Sequence, residues 1–139
     1  MGVRHVLNYK DTPDWGEKAR SLGVNGKGVD IVVDVGGAST LQQSLKAVRL
    51  NGVIALTGVL GEAPDGKVPT LLDTLFATCN VRGVLLGSRK QFSDMNHFIE
   101  THDVKPVVDH TIFDLASAKE AYVFLKEQKH FSKVVIQIQ

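Results

Sequence analysis

Three apolar runs end at glycine: Val29 to Val35 at Gly36-Gly37, Val53 to Thr57 at Gly58, and Val81 to Leu86 at Gly87. Glycine at the carboxyl end of a buried strand lets the backbone come close to a flat or charged ligand, and open parallel sheets hold their ligands there. The chemistry on offer is that of one wall of a dinucleotide site. Asp30 and Asp34 lie four apart in the first run, so a strand projects both from one face. Asp34 stands where a ribose or the nicotinamide end of a cofactor could approach, and equally where a carboxylate could bond backbone amides at a strand end. No G-x-G-x-x-G follows a strand in the 139 residues, so this sequence does not carry the opposite, pyrophosphate-binding wall.

Other reactive residues point to less. Gly61 to Val68 has the glycine and lysine spacing of a phosphate-binding loop. However, Val68 lacks the hydroxyl that would hold magnesium, Glu62 and Asp65 repel phosphate, and Pro64 removes a backbone donor. It reads as a solvated loop. His97 and His102 are five apart and do not share a helical face as an i, i+4 metal pair would; His5, His110 and His130 stand alone. Asp103 beside His102 and Asp109 beside His110 could orient an imidazole for acid-base work, against a default of surface histidines. Cys79, the single cysteine, sits among apolar residues without a neighbouring cation and reads as a buried, inert thiol. Lys126, Lys129, His130 and Lys133 read as a solvated helix end.

Runs of this length and Val/Ile/Leu content, separated by helix-like segments, predict βα units and a parallel sheet buried on both faces. His5 to Tyr9 is a further strand. Thr12-Pro13 opens a helix that Gly23 ends, and Ser39 to Gln42 is a capping box before a helix with Leu41, Leu45 and Val48 on one face. Asn51-Gly52 stops that helix and starts the next strand. Pro69 begins a third helix, whose Leu71, Leu72, Leu75 and Phe76 are expected to be packed. A fourth runs from Arg89 to His102 with Phe92, Met95, Phe98 and Ile99 as its stripe. After Pro106 come an extended piece to Phe113, a capping box Ser117 to Glu120 opening a helix, and a last strand from Lys133 to Ile138.

Sixteen basic and fifteen acidic residues leave a net charge of +1, too little for electrostatic capture of nucleic acid or an anionic membrane. One cysteine forms no intrachain disulfide or multi-cysteine zinc site, which fits a reducing, cytoplasmic compartment. No apolar run approaches the ~20 residues of a membrane span.

Gly28 to Gly37, Asn51 to Gly58 and Arg82 to Arg89, taken in order, resemble the medium-chain dehydrogenase/reductase superfamily, and within it the zinc-type alcohol-dehydrogenase-like branch. The approach His5 to Tyr9 and the ending Phe113 to Ala116 through Lys133 to Val135 fit as well, so the resemblance covers essentially the whole chain. It implies an α/β fold: a partial Rossmann-like parallel sheet with flanking helices, lacking the first two strands and the glycine-rich loop. Residues 1–105 would be the partial cofactor domain and 106–139 the C-terminal return segment of the same compact unit. By resemblance Gly36 and Gly37 border the cofactor ribose, Val59 and Leu60, after Gly58, the nicotinamide ribose, and Leu85, Leu86, Gly87 and Ser88 the carboxamide. Lys133 lies where the family often has a basic residue near the pyrophosphate, preceded here by Ser132 where glycine is usual.

The implied cofactor is NAD or NADP, bound weakly or not at all by this chain alone, with no zinc. The leading function is the cofactor-domain part of an NAD(P)-dependent oxidoreductase, inactive by itself, with a small-molecule substrate only in the complete enzyme. The alternatives are a non-catalytic dimerisation or interaction module and a non-redox enzyme reusing the crevice with His and Asp as acid and base. Strands missing from the sheet are expected to leave an edge. That edge would be satisfied by a homodimer or by the first strand moving beside Val29 to Val35.

Overall fold

In a computed structural model that describes residues 2–63 and 65–138, the chain forms two compact units, one up to Leu86 and one from Gly87. Pro64, invoked above against a phosphate loop, lies outside the described residues.

The first unit contains α1 (Trp15–Leu22), β1 (Val29–Asp34), α2 (Leu41–Ala47), β2 (Val48–Leu56), α3 (Leu71–Ala77) and β3 (Asn80–Gly83). Its sheet has the order β1-β2-β3 with every pairing parallel, as βα units require. Leu45 of α2 with Val48 and Ile54 of β2 forms the buried core, joined by Val32, Leu41, Ala77 and Cys79. Thus α2 and the end of α3 cover the face that carries Val32 and Ile54. On the other face Ile31, Val33 and Val35 remain exposed, each by about two-thirds or more (66%, 65% and 73%). α1 is tied to α2 where the Gly16 amide donates to Gln43 Oε1 at 2.9 Å, and to the start of β2 where Arg20 Nη1 donates to the Val48 carbonyl at 2.8 Å.

The second unit contains α4 (Arg89–Thr101), β4 (Val108–Asp114), α5 (Ala118–Lys126) and β5 (Lys133–Gln137), with β4 and β5 parallel. Asp109 is 4% exposed and joins two parts of it: its carboxylate accepts from the amides of Phe131 at 2.6 Å and Thr111 at 2.8 Å.

The α/β class with parallel sheets and flanking helices is as expected; several local features differ. Residues 5–9 form no strand, and among the described residues none pairs with the other edge of β1. The Asn8 carbonyl instead accepts from the amides of Asp11 and Thr12, and turn geometry takes over. α1 starts at Trp15 after an Asp14 whose side chain makes no cap, not at Thr12-Pro13. The Ser39 capping box does not form, because the Thr40 hydroxyl is drawn to Asp34 and Thr40 becomes the residue before α2; Ser39 bonds the Gly36 carbonyl. Likewise the Ser117 hydroxyl donates to Asp114 Oδ1 at 2.6 Å rather than capping α5 through its third residue. Strand β2 begins at Val48, and Asn51 lies inside it with φ of 58°, beside an irregularity in the β1–β2 register. β3 is shorter than the apolar run that announced it. The apolar side chains of α3 are exposed rather than packed, with Leu71 at 87% and Phe76 at 81%.

Candidate functional site

The carboxyl ends of β1 and β2 carry the glycines, and Asp34 organises them. This carboxylate, only 3% exposed, accepts from the Gly37 amide at 2.8 Å and the Thr40 hydroxyl at 2.7 Å through Oδ1, and from the Ser44 hydroxyl at 2.5 Å through Oδ2. The turn after β1 is thereby fastened to the first turns of α2. Of the two roles open to Asp34 from sequence, the geometry displays the amide-bonding one. Its main-chain carbonyl meanwhile accepts from the Thr57 hydroxyl at 2.9 Å and the Gly58 amide at 3.1 Å, which ties the end of β2 to that of β1.

Past this point the two loops run backbone against backbone. Gly37 has φ of +66° and forms a parallel bridge with Gly61. A Cβ on Gly58 would lie 1.8 Å from the Val35 carbonyl oxygen, and one on Gly61 2.1 Å from that of Gly36. Only glycine permits such an approach. The result is a ledge of bare peptide at the carboxyl ends of the strands, followed by exposed Val59 and Leu60 at its lip. Leu85 and Leu86, also exposed, leave the carboxyl end of the adjacent strand β3. A ledge of this kind offers peptide groups and aliphatic contact to a sugar and a flat ring without side chains in the way. It supplies no acid, base or nucleophile.

Among the sequence candidates, Asp34, Gly36, Gly37, Gly58, Val59, Leu60, Leu85 and Leu86 therefore belong to one sheet end of the first unit. Gly87 and Ser88 open the second unit, where Ser88 caps α4: its hydroxyl accepts from the Gln91 amide and Gln91 Oε1 accepts from the Ser88 amide. Lys133 begins β5 and is exposed; Ser132 before it adopts φ of 71°.

Gly61, Thr40, Ser44 and Thr57 are structural members of the ledge that the sequence reading did not place at the site. Hydroxyls at 40 and 44, one helical turn apart just after a strand-ending aspartate, were a usable signal.

The histidines are dispersed. His102 Nδ1 lies 2.9 Å from the Phe98 carbonyl oxygen with the two rings stacked, and His110 is exposed with Nδ1 3.4 Å from Asp109. The Phe131 amide, then that of Thr111, holds the Asp109 carboxyl below the usual carboxylate range, as the Ser117 hydroxyl and amide do for Asp114. Burial pushes the Cys79 thiol up, away from thiolate chemistry. Among the described residues no group of three or more His, Cys, Asp or Glu side chains could hold a metal ion. No helix in them is long and apolar enough to cross a membrane.

Residues 1–101 match the family described as zinc-binding dehydrogenase. A zinc-type alcohol dehydrogenase-like protein of Schizosaccharomyces pombe is 38% identical over 142 residues, covering 99% of this chain and 40% of that protein. A crystal structure of an NAD-dependent alcohol dehydrogenase superposes with a TM-score of 0.80 at 31% identity, over 99% of this chain and 39% of the other. Mycobacterial Rv1454c, whose structure is complexed with NADPH, gives a TM-score of 0.66 at 25% identity, over 97% of this chain and 44% of the other. The chain thus spans about 40% of the length of the curated relatives that it matches over its whole extent.

Proposed function

We propose, from the premise that the chain belongs to the zinc-binding dehydrogenase family, that it forms the nicotinamide-side wall of an NAD(P) site in an alcohol dehydrogenase-type oxidoreductase. The observation that carries this reading is the glycine ledge, in which buried Gly37 and half-buried Gly58 and Gly61 bring peptide against peptide, with no side chain between them, at the carboxyl ends of β1 and β2. Its chemistry fits the group. With the Gly37 and Gly58 amides taken by Asp34, a ribose hydroxyl meets the main chain at exposed Val59 and Leu60, and Val59, Leu60, Leu85 and Leu86 offer aliphatic surface to a flat ring. When bound, the nicotinamide supplies or accepts the hydride. The residues of this chain orient it and keep water from its edge, and Asp34 holds the ledge in shape from behind. The substrate is a small alcohol, carbonyl or activated alkene, whose pocket and polarising group come from elsewhere in the enzyme. We place the protein in the cytoplasm, consistent with its single thiol.

Measured on this chain alone, the affinity should be low. A dinucleotide is held largely through its pyrophosphate, and two or three charge-assisted hydrogen bonds, at ~1.5 to 3 kcal/mol each, are not offered by the ledge. A micromolar site would weaken to about millimolar or beyond. Calorimetric titration with NADH and NADPH in parallel tests this. Saturable heat with Kd near or above about 1 mM for one or both supports the reading; no binding of either up to roughly 10 mM contradicts it.

A further inference from the structure

We propose that Ser44 is a positioning residue for the glycine ledge: acting through Asp34, it sets the Gly37 turn against the loop that carries Val59 and Leu60, and with it the affinity of the cofactor wall. The statement about affinity rests on the cofactor reading; the statement about the ledge does not.

Ser44 lies in the middle of α2, 1% exposed, next to buried Leu45 and close to buried Ala47 and Val48. A hydroxyl so placed needs a partner, and inside a helix the usual one is the carbonyl four residues back. Here the Thr40 carbonyl accepts from the Ser44 amide at 3.0 Å, while the Ser44 hydroxyl reaches out of the helix to Asp34 Oδ2 at 2.5 Å.

The two oxygens of that carboxylate are served differently. Oδ1 accepts from both the Gly37 amide and the Thr40 hydroxyl, whereas among the described residues Ser44 alone donates to Oδ2. A buried acceptor left without a donor is costly, and the last torsion of an aspartate is broad and two-fold by itself. Ser44 therefore fixes the plane of the carboxylate, and the plane fixes where the Gly37 amide meets Oδ1. α2 is itself held by the Gly16 amide on Gln43 Oε1 at 2.9 Å and by Arg20 Nη1 on the Lys46 carbonyl at 3.3 Å, so the loss of the hydroxyl falls on the carboxylate.

The Gly37 turn has little slack to absorb it. Gly37 stands at φ of +66°, bridges Gly61, and is so close to the next loop that a Cβ on it would lie 2.5 Å from the Gly58 carbonyl oxygen. Gly58 and Gly61 flank Val59 and Leu60. A turn of the carboxylate is thus passed to the lip of the ledge, although Ser44, being buried, offers no surface to a ligand.

The test compares the full chain with Ser44→Ala and with Val48→Ala, a core truncation that removes no bond to Asp34. Amide hydrogen exchange is read at Gly37 and, as the reference for opening of the whole unit, at Ile54 in β2. In Ser44→Ala exchange at Gly37 should quicken about tenfold more than at Ile54, the order of one lost bond to a buried charge; in Val48→Ala the two should quicken together. Ser44→Cys, which keeps the volume and weakens the donor, should show the same change at reduced size and decides the matter if the alanine variant does not fold. NADH titration followed at the Val59 and Leu60 amides should give a Kd at least about threefold weaker in Ser44→Ala and unchanged in Val48→Ala. Equal quickening at Gly37 and Ile54 in the Ser44 variants overturns the proposal, as does a Gly37 amide that is unprotected in the unmodified chain. A loosened Gly37 with an unaltered Kd overturns its statement about affinity. An unmodified chain that binds no NADH fails the cofactor reading instead, and exchange at Gly37 then decides the positioning of the ledge by itself.

Discussion

Asp34 carries more of the site than any residue that would touch a ligand. Its three hydrogen bonds hold the Gly37 turn and the start of α2, and it is buried. Replacing it by alanine strands an amide and two hydroxyls. Asp34→Ala should cost about 3 kcal/mol, read from urea unfolding; a loss under about 1 kcal/mol would show that the turn holds without it. Asp109 gives a pH signature to the second unit. Its folded pKa is depressed by the Phe131 and Thr111 amides, so its contribution is present above the unfolded value of about 3.9 and is lost as pH falls through the lower folded value. Urea midpoints taken between about pH 5 and pH 2.5 should fall with pH, and more shallowly in Asp109→Asn, where the slope left over belongs to other depressed carboxyls such as Asp114. Ser132 sits at φ of 71°, a conformation that costs a side-chain-bearing residue about 1 kcal/mol. Ser132→Gly should raise stability by up to that amount in the same assay. These hydrogen-bond roles were only partly legible. Asp34 was readable as a strand-end residue with two possible jobs, because chain position does not say which donors will face it. Asp109 gave no sign of its bond to Phe131, 22 positions away.

Elements were legible where burial sets the pattern and illegible where local hydrogen bonding competes. The continuous Val, Ile and Leu behind β1, β2 and β3 announced a parallel sheet, but the expected burial of both faces is not seen in this chain, where Ile31, Val33, Val35 and all of β3 are exposed. The capping bonds expected at Ser39 and Ser117 do not form, because the Thr40 hydroxyl goes to Asp34 and the Ser117 hydroxyl to Asp114, although α5 does start directly after Ser117. At the helices expected from Pro69 and Arg89 the capping went unremarked, although Thr70 with Asp73 and Ser88 with Gln91 form reciprocal capping boxes there. The exposed stripe of α3 marks the limit of reading burial from hydrophobicity, since an apolar face says that a helix wants a partner and not that it has one. The ledge itself makes an element-scale prediction. Gly58→Ala drives a Cβ against the Val35 carbonyl, a backbone group that cannot turn aside. It should cost at least about 2 kcal/mol and pull the two loops apart. Unchanged stability would mean that the loops are not in contact.

At the scale of the whole molecule, the βα rhythm and its glycine endings pointed to the superfamily without any help from the site, and the family match and parallel sheets bear that out. Sequence could not show that the ledge is made of peptide packed on peptide, because Gly61 and Gly37 are joined only by folding. The central claim is that this ledge is a cofactor wall. Amide shifts of the isotope-labelled chain, followed while NADH is added to about 10 mM, test it most directly. The account predicts weak saturation, near or above about 1 mM, with the largest shifts at Gly36, Gly37, Gly58, Val59 and Leu60. Shifts centred elsewhere, or none at that concentration, would contradict it.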